Sequence, residues 1–177
     1  MKKLNYFFTA LLGLIIVSGF YACDKDKDNQ YQMANQDFVN KASSANMFEI
    51  AAGQLAIDKG QNASVKAYGQ HMVTDHGATA TEMKSLAQKK NWTIPASMLP
   101  EQQDMYNMLN SQSGAAFDKQ FAAMMVTSHQ QTIALFEQAA SSNGVPNADL
   151  RGFANGKLPA LREHLKDAQS LQTTVNQ

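Results

Sequence analysis

Four long stretches of this sequence place apolar or small side chains three and four positions apart, which is the spacing of one face of an α-helix. Turn-forming residues separate these stretches, and no alternating run of β-branched residues competes with the helical interpretation. Four long amphipathic helices in a domain of this length are typical of a four-helix bundle. The sequence therefore predicts an all-α fold.

Local signals set the expected ends of the helices. Asparagines and glycines close them, and prolines interrupt the chain between the second and third. The long helices are expected at 37–59, between Asn62 and Asn91, at about 115–141 and at about 147–173, with a short helix at 101–110. The bundle thus carries a short extra helix in the crossover between helices 2 and 3. Pro159 is expected to kink or restart the fourth long helix.

Residues 1–22 look like an export signal and not like part of the folded domain. Two lysines begin the chain, and the apolar run that follows is short for a membrane span. Cys23 is the only cysteine and follows Ala22, as in bacterial lipoprotein processing sites. We therefore expect a lipid on Cys23, with an uncleaved anchor or a secreted product without lipid as the alternatives.

After cleavage, a polar tether at 23–33 would join the lipid to a bundle domain at 34–174. The predicted location is the cell envelope, as a membrane-anchored lipoprotein of the outer membrane, on the periplasmic face or at the cell surface. The charges of the remaining chain are nearly balanced and interspersed, so no basic surface for nucleic acid is expected. The membrane is thus the one predicted partner, and the sequence does not identify a protein partner.

A near-repeat places a histidine on the apolar face of two helices. The segment MVTDH at 72–76 returns as MVTSH at 125–129. His76 fills a gap in its stripe, four residues before Ala80, and His129 occupies the matching position in its own helix. Two such histidines suggest two helices that face one another across a shared centre.

The other two long helices each add a titratable group at or beside the apolar face. These groups are Glu49 and His164, and Asp75 and Glu137 flank the set. His71 lies about 140° round its helix from His76 and is expected outside it. At least three of the inward side chains should therefore approach a common point within about 8 Å, the reach of a metal with its outer partners.

Three interpretations of this set remain open. Imidazole and carboxylate groups bind iron, manganese, zinc or copper in bundle cores, so the set predicts a metal site at Glu49, His76, His129, His164, Asp75 and Glu137. A hydrogen-bonded cluster that fixes the helix register would satisfy the same buried groups. A catalytic acid–base pair without metal is the third, although no catalytic residue stands out.

The chain from about 38 to 171 resembles the bacterial family known as domain of unknown function 4142. The matching pieces are EIAAGQLA at 49–56, VKAYGQHMVTDH at 65–76, GAAFD at 114–118, MVTSH at 125–129, LFE at 135–137 and LPALREHL at 158–165. The resemblance implies a ferritin-like four-helix bundle. The family typically has Asp-His in both copies of the repeat, whereas the second copy here reads Ser128-His129.

The resemblance does not extend to the di-iron signature of ferritins. No glutamate lies three residues before His76, His129 or His164, so ferroxidase chemistry is not expected. The segment MMVTSHQQ at 124–131 is also similar to a neighbouring exported bundle family, domain of unknown function 305, and clustered thioether and imidazole groups favour copper. Against copper, most of the ten methionines lie at core spacing, where methionine is an ordinary gap filler.

The sequence thus predicts an exported, lipid-anchored envelope protein with a metal site in its bundle core, and not a robust enzyme. A structural or stress-related envelope binding protein without metal is one alternative. A metal-dependent oxidoreductase is the other.

Overall fold

The computed structural model describes residues 31–177, which form five α-helices and no β-strand. The helices are α1 (Asn35–Lys59), α2 (Ala63–Lys90), α3 (Pro100–Asn110), α4 (Gly114–Ala140) and α5 (Ala148–Val175). Each helix expected from the sequence is present, with ends within two residues of the expected ones. The all-α fold, with a short helix in the crossover between the second and third long helices, is therefore confirmed.

The four long helices form two antiparallel pairs, because α1 packs most extensively against α2, and α4 against α5. At one end, Lys59 of α1 donates a hydrogen bond to the carbonyl oxygen of Asn110 at the end of α3. At the other, the backbone N–H of Asn147 donates to Oδ1 of Asn35, which joins the starts of α5 and α1. Since α2 and α4 run in the same direction, the chain must return along the bundle between them, and the segment with α3 makes that return.

The local signals act as the sequence indicates. The Asn62 side chain accepts a hydrogen bond from the backbone N–H of Ser64 and caps α2. Asn91 ends α2 in the left-handed region, at φ 56°. Pro100 begins α3, where a missing N–H costs nothing. Gly114 begins α4 at φ 61°, a value that side chains disfavour.

The structure differs from the sequence prediction at Pro159 and at Ala80. Pro159 does not restart the last helix, because α5 runs without interruption from Ala148 to Val175. Pro159 lies on the exposed face, where water can bond the carbonyl that its ring frees. Ala80 does not belong to the buried stripe of α2. It is exposed and lines a cavity that residues of α2 and α5 border.

The apolar core consists of two clusters, one toward each end of the bundle. One contains Phe48, Met72, Phe121, Met125 and Ala168, and the other contains Phe38, Ala42, Met83, Phe136 and Leu161. On every long helix, buried polar residues lie toward the middle of the bundle: Ser43, Ser44, Asn46 and Glu49 on α1, His76 on α2, Ser128, His129 and Thr132 on α4, and His164 on α5. The other buried polar residue of the long helices is Asp118, which accepts hydrogen bonds from the backbone N–H groups of Gln61 and Asn62 near the start of α4. A buried polar layer thus separates two dry halves of the core.

No helix among residues 31–177 is long and apolar enough to cross a membrane.

Candidate metal centre

Three histidines from three different helices meet in the middle of the polar layer. His76 of α2, His129 of α4 and His164 of α5 are all buried. Each offers one ligand atom, and these three atoms lie within 4.8 Å of one another. The ring centres are 5.7 Å apart for His76 and His129 and 5.4 Å apart for each of the other two pairs. The geometric expectation from the sequence is thus met by these three.

The tautomer of His76 is assigned by Asn46. The amide N–H of Asn46 donates to the carbonyl oxygen of His76 at 2.9 Å, so the amide oxygen must face the ring. That oxygen lies 2.9 Å from Nδ1 of His76, which therefore carries the proton and donates it. A neutral imidazole has a single N–H, and the lone pair consequently lies on Nε2.

His129 is oriented by its own helix. Its Nδ1–H donates to the backbone carbonyl oxygen of Met125, one turn earlier, at 2.8 Å. A carbonyl can only accept, so Nδ1 carries the proton and Nε2 carries the lone pair. The same rule fixes His164, whose Nε2 lies 3.0 Å from the Asp75 carboxylate and donates to it. The lone pair of His164 is therefore on Nδ1.

The three nitrogens that carry lone pairs are the ones left without partners. Nε2 of His76, Nε2 of His129 and Nδ1 of His164 are buried, and none has a hydrogen-bond partner within residues 31–177. Three acceptors cannot satisfy one another, because the single proton of each ring is already donated elsewhere. The rings therefore do not form a closed hydrogen-bonded cluster with one another. A transition metal ion accepts lone pairs from three such nitrogens, so the donor set fits a metal.

Burial keeps the rings of His76 and His164 neutral. Burial, with the nearby His129 and His164 rings, holds the pKa of His76 well below its usual range. Burial also lowers the pKa of His164, although its hydrogen bond to Asp75 opposes the shift. Both rings are therefore neutral at pH 7, which leaves their lone pairs free for a metal.

Glu49 lies beside the triad formed by His76, His129 and His164. Its Oε1 is 3.7 Å from Nδ1 of His129, the nitrogen that donates to the Met125 carbonyl oxygen. Neither carboxylate oxygen accepts a hydrogen bond of ordinary geometry from a residue of the described chain. Burial raises the pKa of Glu49, and the adjacent His129 and the Ser128 hydroxyl oppose that rise. Glu49 is thus a buried carboxylate beside His129, while the Met125 carbonyl oxygen is the acceptor for the N–H of that ring.

A cavity of about 280 Å³ adjoins the triad. Its lining includes His76, His164 and Glu49, and most of the remainder is apolar. Lys157 and Glu82 also line it and form an ion pair of 2.6 Å between α5 and α2. A small molecule can therefore reach two of the three rings.

Of the other two predicted metal ligands, Asp75 lies beside the histidines and Glu137 does not. Asp75 accepts from His164 and borders the triad. Glu137 is exposed and pairs with Arg162 at 2.8 Å, and it belongs to neither group of clustered ligand atoms. Cys23 lies outside the described residues.

Sequence reasoning missed two residues. Asn46 was not singled out, although a buried amide four residues after Ala42 on the apolar face was a usable signal. His71 was expected outside the set, and its side chain is indeed partly exposed. Its ring centre nevertheless lies 5.0 Å from that of His164, and its Nε2 is 3.1 Å from Asp75.

Comparisons with known proteins agree with this architecture. The family model described as "Domain of unknown function (DUF4142)" matches residues 22–171. Two solved structures, "CopM in the Cu(II)-bound form" and "CopM in the Cu(I)-bound form", superpose with TM-scores of 0.65 and 0.66 at 16% and 15% identity. Each comparison covers 81% of this chain and 98% of the CopM chain, which shows a common bundle fold. No curated protein sequence matches the chain.

Proposed function

The chain belongs to the family described as domain of unknown function 4142, and we propose that it binds copper in the cell envelope through His76, His129 and His164. One observation carries the proposal. Three buried rings each offer a ligand atom within 4.8 Å of the others, and each has a buried nitrogen without a partner in the described part of the chain. Leaving three polar atoms unsatisfied is costly, so a ligand that takes all three lone pairs is the simplest account.

The outer partners of the rings support a metal centre. Asn46, the Met125 carbonyl oxygen and Asp75 each accept the N–H on the far side of one ring. In metal sites such partners fix the ring orientation and raise the basicity of the ligating nitrogen. The polar layer therefore supplies both the ligands and the groups that aim them.

Charge and ligand type favour copper. In the usual affinity order of divalent first-row metals, copper binds nitrogen ligands most strongly, and imidazole is a suitable copper ligand. The site supplies three imidazole ligands in a buried part of the core, where a monovalent ion costs less to desolvate than a divalent one. Copper is a transition metal with a stable monovalent form, and an ionised Glu49 would balance its charge. The same fold in CopM, solved in Cu(I)- and Cu(II)-bound forms, supports this choice.

Copper titration of the purified domain tests the proposal. In competition with a chromophoric Cu(I) chelator under anaerobic conditions, the wild type is expected to retain one Cu(I) ion per protein, bound by His76, His129 and His164. His76→Ala and His129→Ala should each weaken this Cu(I) binding by at least about tenfold, because two imidazoles remain where three are needed.

Thr132→Val is the matched control, since Thr132 is buried one turn after His129 in the same polar layer and offers no ligand nitrogen. Circular dichroism establishes that each variant is folded. Equal Cu(I) affinity in the wild type and in folded His129→Ala protein would refute the triad as the copper site.

The envelope location is part of the same proposal and rests on the N-terminal sequence. A lipid on Cys23 would be the main membrane attachment after cleavage. Cys23→Ala is therefore expected to move the protein from the membrane fraction to the soluble fraction, as followed by immunoblot, with loss of the lipid mass in intact-mass analysis. Cys23→Ala protein that stays in the membrane fraction would contradict the anchor.

The cavity favours a second candidate function, a metal-dependent oxidoreductase. The cavity has room for a small molecule beside His76 and His164. Such a molecule would be the fourth ligand of a metal ion that the three histidines bind. Steady oxygen consumption with ascorbate by copper-loaded protein, absent from His129→Ala protein, would favour this function over binding alone.

A further inference from the structure

A second group of ligand atoms lies on the solvent side of His164. It consists of His71, Asp75 and His164, whose ligand atoms lie within 4.8 Å of one another. The Nε2 atoms of His71 and His164 are 3.1 Å and 3.0 Å from the same Asp75 oxygen, Oδ2. The side chains of His71 and Asp75 are 43% and 42% exposed, so this group is open to water, whereas the three histidines of the inner triad are buried.

His164 belongs to both groups through different atoms. Its Nδ1 carries the lone pair left without a partner in the inner triad, and its Nε2 faces Asp75. His71 and His76 are five residues apart on α2 and lie on different faces, yet both rings are within 5.4 Å of the His164 ring, measured between centres. The His164 ring thus belongs both to the buried triad and to the exposed group with His71 and Asp75.

We infer that His71, Asp75 and His164 form a second, outer site for a divalent transition metal ion, and that His164 is shared between this site and the inner copper site. The inference deepens the proposed function and rests on it for the inner site. Asp75 accepts a hydrogen bond from Nε2 of His164, and Nε2 of His71 lies 3.1 Å from the same carboxylate oxygen. A bound cation would take the place of the His164 proton between the carboxylate and the two rings.

The ligands suit a divalent ion better than the inner triad does. Asp75 adds one negative charge to two imidazoles, and the open side admits water as further ligands. His71 can bind through Nε2 in the tautomer that carries its proton on Nδ1. When both nitrogens of His164 bind metal, the ring releases its remaining proton to solvent, so filling both sites should release one proton per protein.

Cu(II) binding by equilibrium dialysis tests the outer site. The wild type is expected to bind one Cu(II) more than His71→Ala and Asp75→Asn proteins. Gln70→Ala is the matched control, because Gln70 is the exposed neighbour of His71 on α2 and belongs to neither group. His129→Ala should keep the Cu(II) that depends on His71, whereas His164→Ala should lose it and also weaken Cu(I) binding.

The outcomes distinguish the two proposals. Equal Cu(II) stoichiometry in the wild type, His71→Ala and Asp75→Asn would overturn the outer site, and the inner site would stand if His129→Ala still lost Cu(I). Cu(II) that depends on His71, together with Cu(I) affinity unchanged by His129→Ala, would support the outer site while refuting the triad. Loss of the His71-dependent Cu(II) in Asp75→Asn but not in His164→Ala would overturn the sharing of His164.

Discussion

Copper-loaded protein is expected to melt roughly 5 to 10 °C above protein stripped with a chelator. A ligand that binds only the folded state stabilises it by RT ln(1 + [L]/Kd), which is about 2.7 kcal/mol at a hundredfold excess over Kd. For a domain of about 150 residues, each kcal/mol raises Tm by about 2 to 4 °C. Thermal unfolding followed by circular dichroism measures the difference.

The dependence on the histidines makes this measurement specific to the triad. Each histidine substitution changes the stability of the stripped protein as well, so the informative quantity is the shift on adding copper, compared between variants. His76→Ala and His129→Ala should lose most of this shift, and Thr132→Val should keep it. Equal melting of stripped and copper-loaded wild type would contradict metal binding by the folded bundle.

The order of metals gives a second comparison in the same experiment. Manganese and iron should stabilise the protein less than copper, because neutral nitrogen ligands bind early first-row metals more weakly. A larger shift with manganese than with copper would indicate that a carboxylate supplies a ligand, and Glu49 is the buried carboxylate nearest His129 in the described structure. The metal series thus tests whether Glu49 binds the metal.

The helices could be predicted because their signals are local. The three-and-four spacing, the Asn62 cap, Asn91 and Pro100 each act within a turn or two of the backbone. The meeting of His76, His129 and His164 was also predictable, since each interrupts an apolar stripe and the stripes must face one another in a bundle. Helical phase and amphipathicity together therefore determined the fold and the centre of the site.

The division of the site into ligands and outer partners could not be read from the sequence. It depends on which acceptor each ring meets, and Asn46 and Asp75 meet rings on other helices. His71 lies off the buried face of α2, but its ring extends to Asp75, and α5 brings His164 to the same carboxylate. The spacing of Glu137 predicted a position beside the other site residues. In the structure Glu137 is exposed and pairs with Arg162 of the adjacent helix. These outcomes rest on contacts between helices, which periodicity does not describe.

The close approach of α1 and α2 gives the last prediction. A side chain at Gly69 would place its Cβ 2.7 Å from the Gly53 carbonyl oxygen and 2.7 Å from the Ala56 Cβ. One of these contacts is with backbone, so a larger residue must push the helices apart. Gly69→Leu is therefore expected to lower the free energy of unfolding by about 3 kcal/mol, at the upper end of overpacking costs. Urea unfolding measures it.

Gly77→Leu is the matched control, because Gly77 lies in the same helix and a Cβ there meets no atom of the described chain within 4 Å. This substitution should raise stability by up to about 1 kcal/mol, since glycine is a poor helix former. The same close approach sets the distance between Asn46 of α1 and His76 of α2, which the 2.9 Å hydrogen bonds require. Folded Gly69→Leu protein should thus bind Cu(I) more weakly than Gly77→Leu protein. Equal stability of the two variants would show that α1 and α2 do not need glycine where they cross.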